Sequence, residues 1–496
     1  MPRPSPRRPA AAIAARLLGL ALLLPLPAAA AERVALVIGM GGYEALGPLD
    51  NPVPDARAIA GALAGIGFEV TQVLDAPLAD LRAAMGRFAF EAETAELALI
   101  YFAGHGVQVQ GENFLLPVDA AAASNAELQR RSVSLRDFLA TVDGARRMRI
   151  VILDSCRDNP LGGGIAPEPG AAAPPSGMAP ASPERGTLVA YAARDGQTAL
   201  DGTDGNSPFA AALVEKLTVP GLEISLMFRQ VRDEVLRRTA NLQEPHTYGS
   251  LSGVPYYIAG PARGQDALPA ADPVLAWASL RPEEEAQLVA LAGAGDTRSM
   301  VGLAYRHLNA AGDFRPAEAV TLFARAAEAG SPVAQFELGK LYEKGLGVEA
   351  DPGRALDLYR ASAAQEFPDA LNDLGYLYFQ GGLGLRPDRQ QALAYFERAA
   401  DQRHPEAQFN FAALIDDGLV PGKGPAEAAR YLYAALRSGN ASVLEILQTR
   451  SEMFGIDTRK ALQGELSRNA FYDQPIDGQF GEGTRRGLRR AYGAAE

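Results

Sequence analysis

The stretch Val151-Ile152-Leu153-Asp154-Ser155-Cys156-Arg157-Asp158-Asn159-Pro160 decides how the first half of the chain is read. A short apolar run, rich in β-branched residues, ends in small and polar side chains. That is the pattern of a buried strand delivering its last residues to a loop. Cys156, at that mouth, is the only cysteine in 496 residues. A second stretch has the same shape: Leu97-Ala98-Leu99-Ile100-Tyr101-Phe102-Ala103 runs into Gly104-His105-Gly106. His105 precedes Cys156 by 51 residues, and the two read as a catalytic pair. A free thiol with a pKa of about 8.5 is mostly protonated at neutral pH, so attack by a thiolate needs a base nearby. A histidine at the end of a neighbouring strand supplies one. The glycines flanking His105 let a substrate backbone come close. The amide of Gly106 is then a candidate oxyanion donor, and the amide of Cys156 the second. The bland alternative is an inert buried cysteine and an unrelated histidine. Catalysis is favoured because both residues end apolar strands and both sit between small neighbours.

Outward from these two strands the pattern alternates. Arg33 to Ile38 and Phe68 to Leu74 read as strands, Pro54 to Gly65 and Leu78 to Glu93 as helices. Gln108 to Val118 reads as a small hairpin turning at Gly111, Ser134 to Val142 as a helix, and Met148 to Asp154 as a fourth strand. Thr187 to Ala193 is another strand, Ser207 to Leu217 and Ser225 to Asn241 are helices, and Pro255 to Ile258 is expected to close the sheet. Such alternation predicts a parallel sheet with helices on both faces, and sites in such sheets form beyond the C-terminal strand ends. His105 and Cys156 both belong there. Leu161 to Gly186, with six prolines and six glycines in 26 residues, fits no element and reads as a long loop. The glycines of Gly39 to Gly47 lack the spacing of a dinucleotide fingerprint, and no GKS or GKT follows, so phosphate binding is rejected. The four histidines, His105, His246, His307 and His404, are scattered without metal-ligand spacing, so no metal site is expected.

Residues 261–279 are Pro/Ala-rich and read as a linker after a domain spanning 32–260. Beyond it a repeat sets in. Gly302 and Tyr305 recur as Gly339 and Tyr342, then as Gly375 and Tyr378. Ala319 recurs as Ala355, Ala392 and Ala428, each four residues before Phe323, Tyr359, Phe396 or Leu432. Small residues at fixed points let helices approach closely while large ones fill the gap between them. That predicts an all-α solenoid over 280–443. Residues 453–496 form a small helical unit around Ile476 to Thr484.

At the other end, residues 1–31 read as a secretory signal. Arg3, Arg7, Arg8 and Arg16 are basic, Leu17 to Leu26 is a short apolar run, and Ala28 to Ala31 offers small residues for cleavage. Ten apolar residues cannot span a bilayer, so no membrane span is expected after cleavage. Removing those four arginines and no acid takes the formal charge from −12 to −16, which repels nucleic acid. Export, to a periplasm or cell envelope, sharpens the reading of Cys156, since structural cysteines in an oxidising compartment come in pairs.

Tyr101-Phe102-Ala103-Gly104-His105-Gly106 and Asp154-Ser155-Cys156 resemble the motifs of caspase-like cysteine peptidases, most closely the bacterial branch akin to metacaspases. The resemblance covers roughly Arg33 to Ala259, and caspase histidines lie about 50 residues before the cysteine. It implies an α/β caspase-hemoglobinase-like fold and endopeptidase activity, with His105 as base and Cys156 as nucleophile. It also implies that Asp55 and Asp154 line the pocket for the residue before the cut bond. An acidic pocket selects arginine or lysine and repels aspartate. Each aspartate has an ordinary reading too: a helix-start carboxylate for Asp55 and strand-end hydrogen bonding for Asp154. Arg185 is a candidate self-cleavage point. Arg157 stands where many metacaspases have histidine, and Ala103 where they have serine, so calcium activation is not carried over and no cofactor is expected. The repeats are similar to Sel-one-like repeats, clearest at Leu338 to Val348, which implies a protein partner. The tail resembles half of a peptidoglycan-binding module, with a helical cap as the alternative. Two other functions compete with an exported endopeptidase acting on protein or peptide: a non-proteolytic adaptor that keeps the fold, and a cell-wall peptidase.

Overall fold

The computed structural model describes residues 33–121, 124–156, 186–194, 199–200, 205–249, 255–260, 282–309 and 314–494, with single positions 202, 251, 274 and 277. The segment read as a secretory signal, Arg185 and nearly all of the segment read as a linker lie outside these residues. The chain divides into two units, parting near residue 285.

The first unit is built on a sheet. Strands β1 (Arg33–Gly39), β2 (Glu69–Leu74), β3 (Leu97–Val109), β6 (Met148–Cys156) and β7 (Thr187–Tyr191) run parallel, in the order β2-β1-β3-β6-β7. The central strands are apolar without a break because both of their faces are covered. On one face Leu36, Ile38, Ile100, Phe102, Val151 and Leu153 pack with helices α2 (Leu78–Ala92) and α4 (Leu135–Val142) through Leu81, Met85, Phe88 and Phe138. The alternate residues Val37, Leu99 and Ile152 are as deeply buried. Helix α1 (Pro52–Gly65) lies on β1 and β3 and packs against α5 (Pro208–Leu217), which is followed by α6 (Ile224–Arg238). Pro52 and Pro208 occupy first turns, where a missing N–H costs no helical bond.

Several details depart from the sequence reading. Strand β3 does not stop at Ala103 but runs on to Val109, turns through Gln110 and Gly111 (φ +52° and +85°), and returns as β4 (Glu112–Leu115). Two successive positive φ values make the tight turn of a two-residue hairpin. The sheet is closed not by residues 255–258 but by β8 (His246–Gly249), antiparallel to β7. Those four residues have no apolar alternation because an edge strand needs little burial; Tyr248 packs edge-on against Tyr191 at 5.6 Å. A short helix α3 (Asn125–Arg130), capped by Ser124, precedes β5 (Val133–Ser134). Trp277, inside the segment read as a linker, is fully buried.

The second unit is a run of helices: α7 (Pro282–Gly293), α8 (Thr297–His307), α9 (Pro316–Glu328), α10 (Pro332–Lys344), α11 (Pro352–Ala364), α12 (Pro368–Gln380), α13 (Arg389–Asp401), α14 (Pro405–Asp416), α15 (Pro425–Arg437), α16 (Ala441–Thr449), α17 (Ile456–Arg468) and α18 (Glu482–Tyr492). The repeated glycines explain the close packing. A Cβ on Gly339 would stand 2.8 Å from the ring of Tyr359, and one on Gly375 2.8 Å from that of Phe396. Ala319, Ala355, Ala392 and Ala428 are all fully buried, as are the large residues four positions on. Residues 453–494 share a core with the last hairpin: Leu462, Leu466, Tyr472 and Leu488 cluster with Phe409, Leu432 and Leu436. Arg437 donates from within α15 to the carbonyl of Ala491 at 2.9 Å. Among the described residues no helix is long and apolar enough to cross a membrane.

Candidate active site

Strands β3 and β6 run in register from Leu97–Met148 to His105–Cys156, where their parallel pairing ends. The backbones of the two residues singled out by sequence are therefore direct neighbours at the C-terminal rim of the sheet. The thiol of Cys156 lies outside what is described.

His105 is held by its backbone. Its carbonyl accepts from the N–H of Leu116 at 3.0 Å, the bond expected of an antiparallel pair one step beyond Gly106–Leu115. The reciprocal bond is replaced by a relay. The N–H of His105 donates to the hydroxyl of Tyr43 at 2.7 Å, and that hydroxyl donates to the carbonyl of Leu116 at 3.1 Å. The two rings lie 4.6 Å apart. Gly104 makes room for the relay: its φ is +149°, and a Cβ there would meet the Tyr43 hydroxyl at 2.6 Å. Because hydrogen-bonded and non-hydrogen-bonded pairs alternate along β3 and β4, Gly106 faces Leu115 in a non-hydrogen-bonded pair and its N–H is not taken up by β4. His105 is 8% exposed, and its Nδ1 is buried with no partner among the described residues. Burial pushes its pKa down to about 4, so at neutral pH it is an uncharged ring able to accept a proton.

Asp55 and Asp154 converge on the start of α5. Asp55 Oδ1 accepts from the side-chain amide of Asn206 at 2.7 Å and from the N–H of Ser207 at 3.0 Å. Asp154 Oδ2 accepts from the hydroxyl of Ser207 at 2.7 Å and from that of Tyr101 at 2.9 Å. Ser207 thus joins both carboxylates while its Oγ accepts from the N–H of Ala210, capping the helix. Both aspartates are at least nine-tenths buried. The Tyr101 phenol is pushed well up by burial, then by the charges of Asp154 and Asp55, which keeps it a hydrogen-bond donor. The helix N-terminus adds positive potential to the same spot. Asp55 is therefore not spent on its own helix.

Sequence reasoning misses Tyr43, Tyr101, Asn206 and Ser207. A signal for Tyr101 exists: it stands two residues before Ala103, the register partner of Asp154, and so on the same face of the sheet. Tyr43 sits in the glycine-rich loop, whose Gly41 and Gly42 amides donate to Asp75 at 2.7 and 2.8 Å. Those donors are thus occupied by a carboxylate of the chain itself.

Residues 32–255 match the family model described as caspase domain, and residues 297–331, 332–367 and 368–404 each match the Sel1 repeat. The first unit is a caspase-like domain, and the second contains three Sel1 repeats. A comparison with curated proteins returns no match. Among solved structures, a protective antigen of uropathogenic Escherichia coli strains with an SLR fold is 22% identical, with a TM-score of 0.31. That match covers 38% of this chain and 41% of the antigen, so this chain spans less than half of that relative. A Sel1 repeat protein from Oxalobacter formigenes is 24% identical with a TM-score of 0.31, over 42% of this chain and 96% of that one.

Proposed function

We propose, taking the caspase-like domain as premise, that the protein is an exported cysteine endopeptidase that cuts after arginine or lysine. The observation that carries this is the register of β3 and β6, which ends on His105 and Cys156 side by side. In this reading His105 takes the proton of the Cys156 thiol. The thiolate attacks the carbonyl of the scissile bond, and the N–H groups of Gly106 and Cys156 receive the oxyanion. Collapse of the tetrahedral intermediate breaks the C–N bond, and the imidazolium returns its proton to the leaving amine. Water then releases the acyl group from sulfur. The buried pair Asp55 and Asp154, tied through Ser207, supports a basic residue before the cut bond. A desolvated carboxylate pair gains most from a guanidinium or ammonium partner and repels an acidic one.

The Sel1 repeats supply a surface for a protein partner, raising the local concentration of substrate. The shared core between the tail and the last hairpin supports a helical cap; peptidoglycan binding by the tail is tested by pull-down with purified sacculi. Arg185 is either a self-cleavage point or an ordinary loop arginine, and mass spectrometry of the wild type beside Cys156→Ala decides between the two. The function itself is tested with fluorogenic peptides that differ only in the residue before the cut. Hydrolysis after arginine or lysine, lost in Cys156→Ala, is expected. Hydrolysis after aspartate and not after arginine overturns the specificity, and no thiol-dependent hydrolysis at all leaves the adaptor function.

A further inference from the structure

Tyr43 holds His105, and a carboxylate at the end of β2 holds the loop that carries Tyr43. That loop follows β1 and opens with Met40-Gly41-Gly42-Tyr43. Two successive glycines give a backbone its greatest freedom, so such a loop has to be fixed from outside. Within it Tyr43 is buried, while Gly42, Glu44 and Ala45 on either side are exposed. Neighbouring side chains therefore do not carry the ring inward; hydrogen bonds to the backbone do. The N–H of Met40 donates to the carbonyl of Ala103 on β3 at 2.9 Å. The Gly41 carbonyl accepts from the N–H groups of Tyr43 and Leu49 at 3.0 and 2.9 Å. The N–H groups of Gly41 and Gly42 both donate to Oδ1 of Asp75, at 2.7 and 2.8 Å.

Asp75 is seated for this contact. It follows the last residue of β2, and its own N–H donates to the carbonyl of Gly39, the last residue of β1, at 2.9 Å. Its φ of +45° is left-handed, a conformation uncommon outside glycine although aspartate enters it more readily than most residues. Strain of that kind persists where the surroundings enforce it, and it clusters at working sites. The glycines leave room for the approach. A Cβ on Gly42 would stand 3.3 Å from the carboxyl carbon of Asp75, and one on Gly41 2.7 Å from the carbonyl of Leu49. A continuous run of contacts thus leads from the Asp75 carboxylate through the glycine amides and the Tyr43 hydroxyl to the N–H of His105.

We propose that Asp75 is a positioning residue for His105: it fixes the loop that carries Tyr43, and the Tyr43 hydroxyl fixes the backbone from which the imidazole hangs. Its effect on kcat rests on the peptidase reading, whereas its effect on the ring does not. A carboxylate that merely satisfied two loop amides would add stability and leave the imidazole where it is.

The test follows the imidazole of His105 by NMR in the full chain carrying isotope-labelled histidine, its signal identified by its loss in His105→Gln. Asp75→Gly removes the carboxylate and suits the left-handed backbone, so the clamp is lost without added strain. Asp75 is exposed, so its removal opens no cavity. The wild-type ring titrates at about 4. In Asp75→Gly the titration rises by about one pH unit or more toward that of a solvated histidine, and Tyr43→Phe does the same. The double variant moves it no further than Tyr43→Phe alone, because the two act in series. Asp75→Asn keeps the wild-type titration, since its amide oxygen still accepts from both glycines and asparagine tolerates the same φ. With arginine peptides, Asp75→Gly lowers kcat about tenfold or more and leaves KM within about twofold. An unchanged titration in Asp75→Gly, or shifts that add in the double variant, overturns the proposal. A shifted ring in a chain that cleaves no peptide leaves the positioning standing and removes the peptidase; cleavage with an unmoved ring does the reverse.

Discussion

At the residue scale the site turns on how His105 is kept neutral and fixed. Burial holds its imidazole near a pKa of about 4, against about 6.5 when unfolded. Between those values the unfolded chain binds the extra proton, so stability rises with pH and is lost as pH falls from about 6.5 through about 4. The shift corresponds to roughly 2–3 kcal/mol at pH 4.5. Urea unfolding of the first unit at pH 7 and pH 4.5 should therefore show a steeper acid loss in the wild type than in His105→Gln; identical losses would contradict it. Tyr43→Phe removes the relay and leaves the N–H of His105 and the carbonyl of Leu116 without their partner. It should cost about 1–3 kcal/mol and lower kcat more than KM, since the ring is misplaced rather than the pocket changed. Ser207→Ala cuts the tie between Asp55 and Asp154, and should raise KM for arginine peptides while leaving thiol reactivity unchanged.

At the scale of elements, the parallel strands and most helices are legible because burial on both faces leaves uninterrupted apolar runs, and because proline, serine and glycine mark helix ends. The continuation of β3 past Ala103 is not. Gly104-His105-Gly106 has the composition of a loop, and only tertiary pairing with β4 and the Tyr43 hydroxyl holds it extended. The edge strand β8 is illegible for the opposite reason, having almost nothing to bury. His105, Cys156, Asp55 and Asp154 are readable as residue types in a spacing. Ser207, which joins the two aspartates, reads in sequence as no more than a helix cap. Gly104→Ala tests the extended run: the new Cβ meets Tyr43 and Met40, so a loss of about 1–3 kcal/mol is expected in thermal melts. In the repeats, Gly375→Ala drives a methyl into Phe396 and should cost a similar amount through overpacking. An unchanged melting temperature in either variant would refute the packing described.

At the scale of the whole molecule, a caspase-like domain and a Sel1-repeat array share one acidic chain with a formal charge of −12. The first unit gathers two buried carboxylates, Asp55 and Asp154, at the start of one helix. Cleavage of basic substrates should accordingly weaken with added salt, as screening reduces the attraction of an acidic surface for a cationic chain. All of this depends on one thiol being activated by one imidazole. The most direct measurement is labelling of the full chain by a thiol-reactive peptide probe ending in arginine. Labelling that disappears in Cys156→Ala and falls at least tenfold in rate in His105→Ala is the predicted result; labelling at the wild-type rate in His105→Ala would contradict the account.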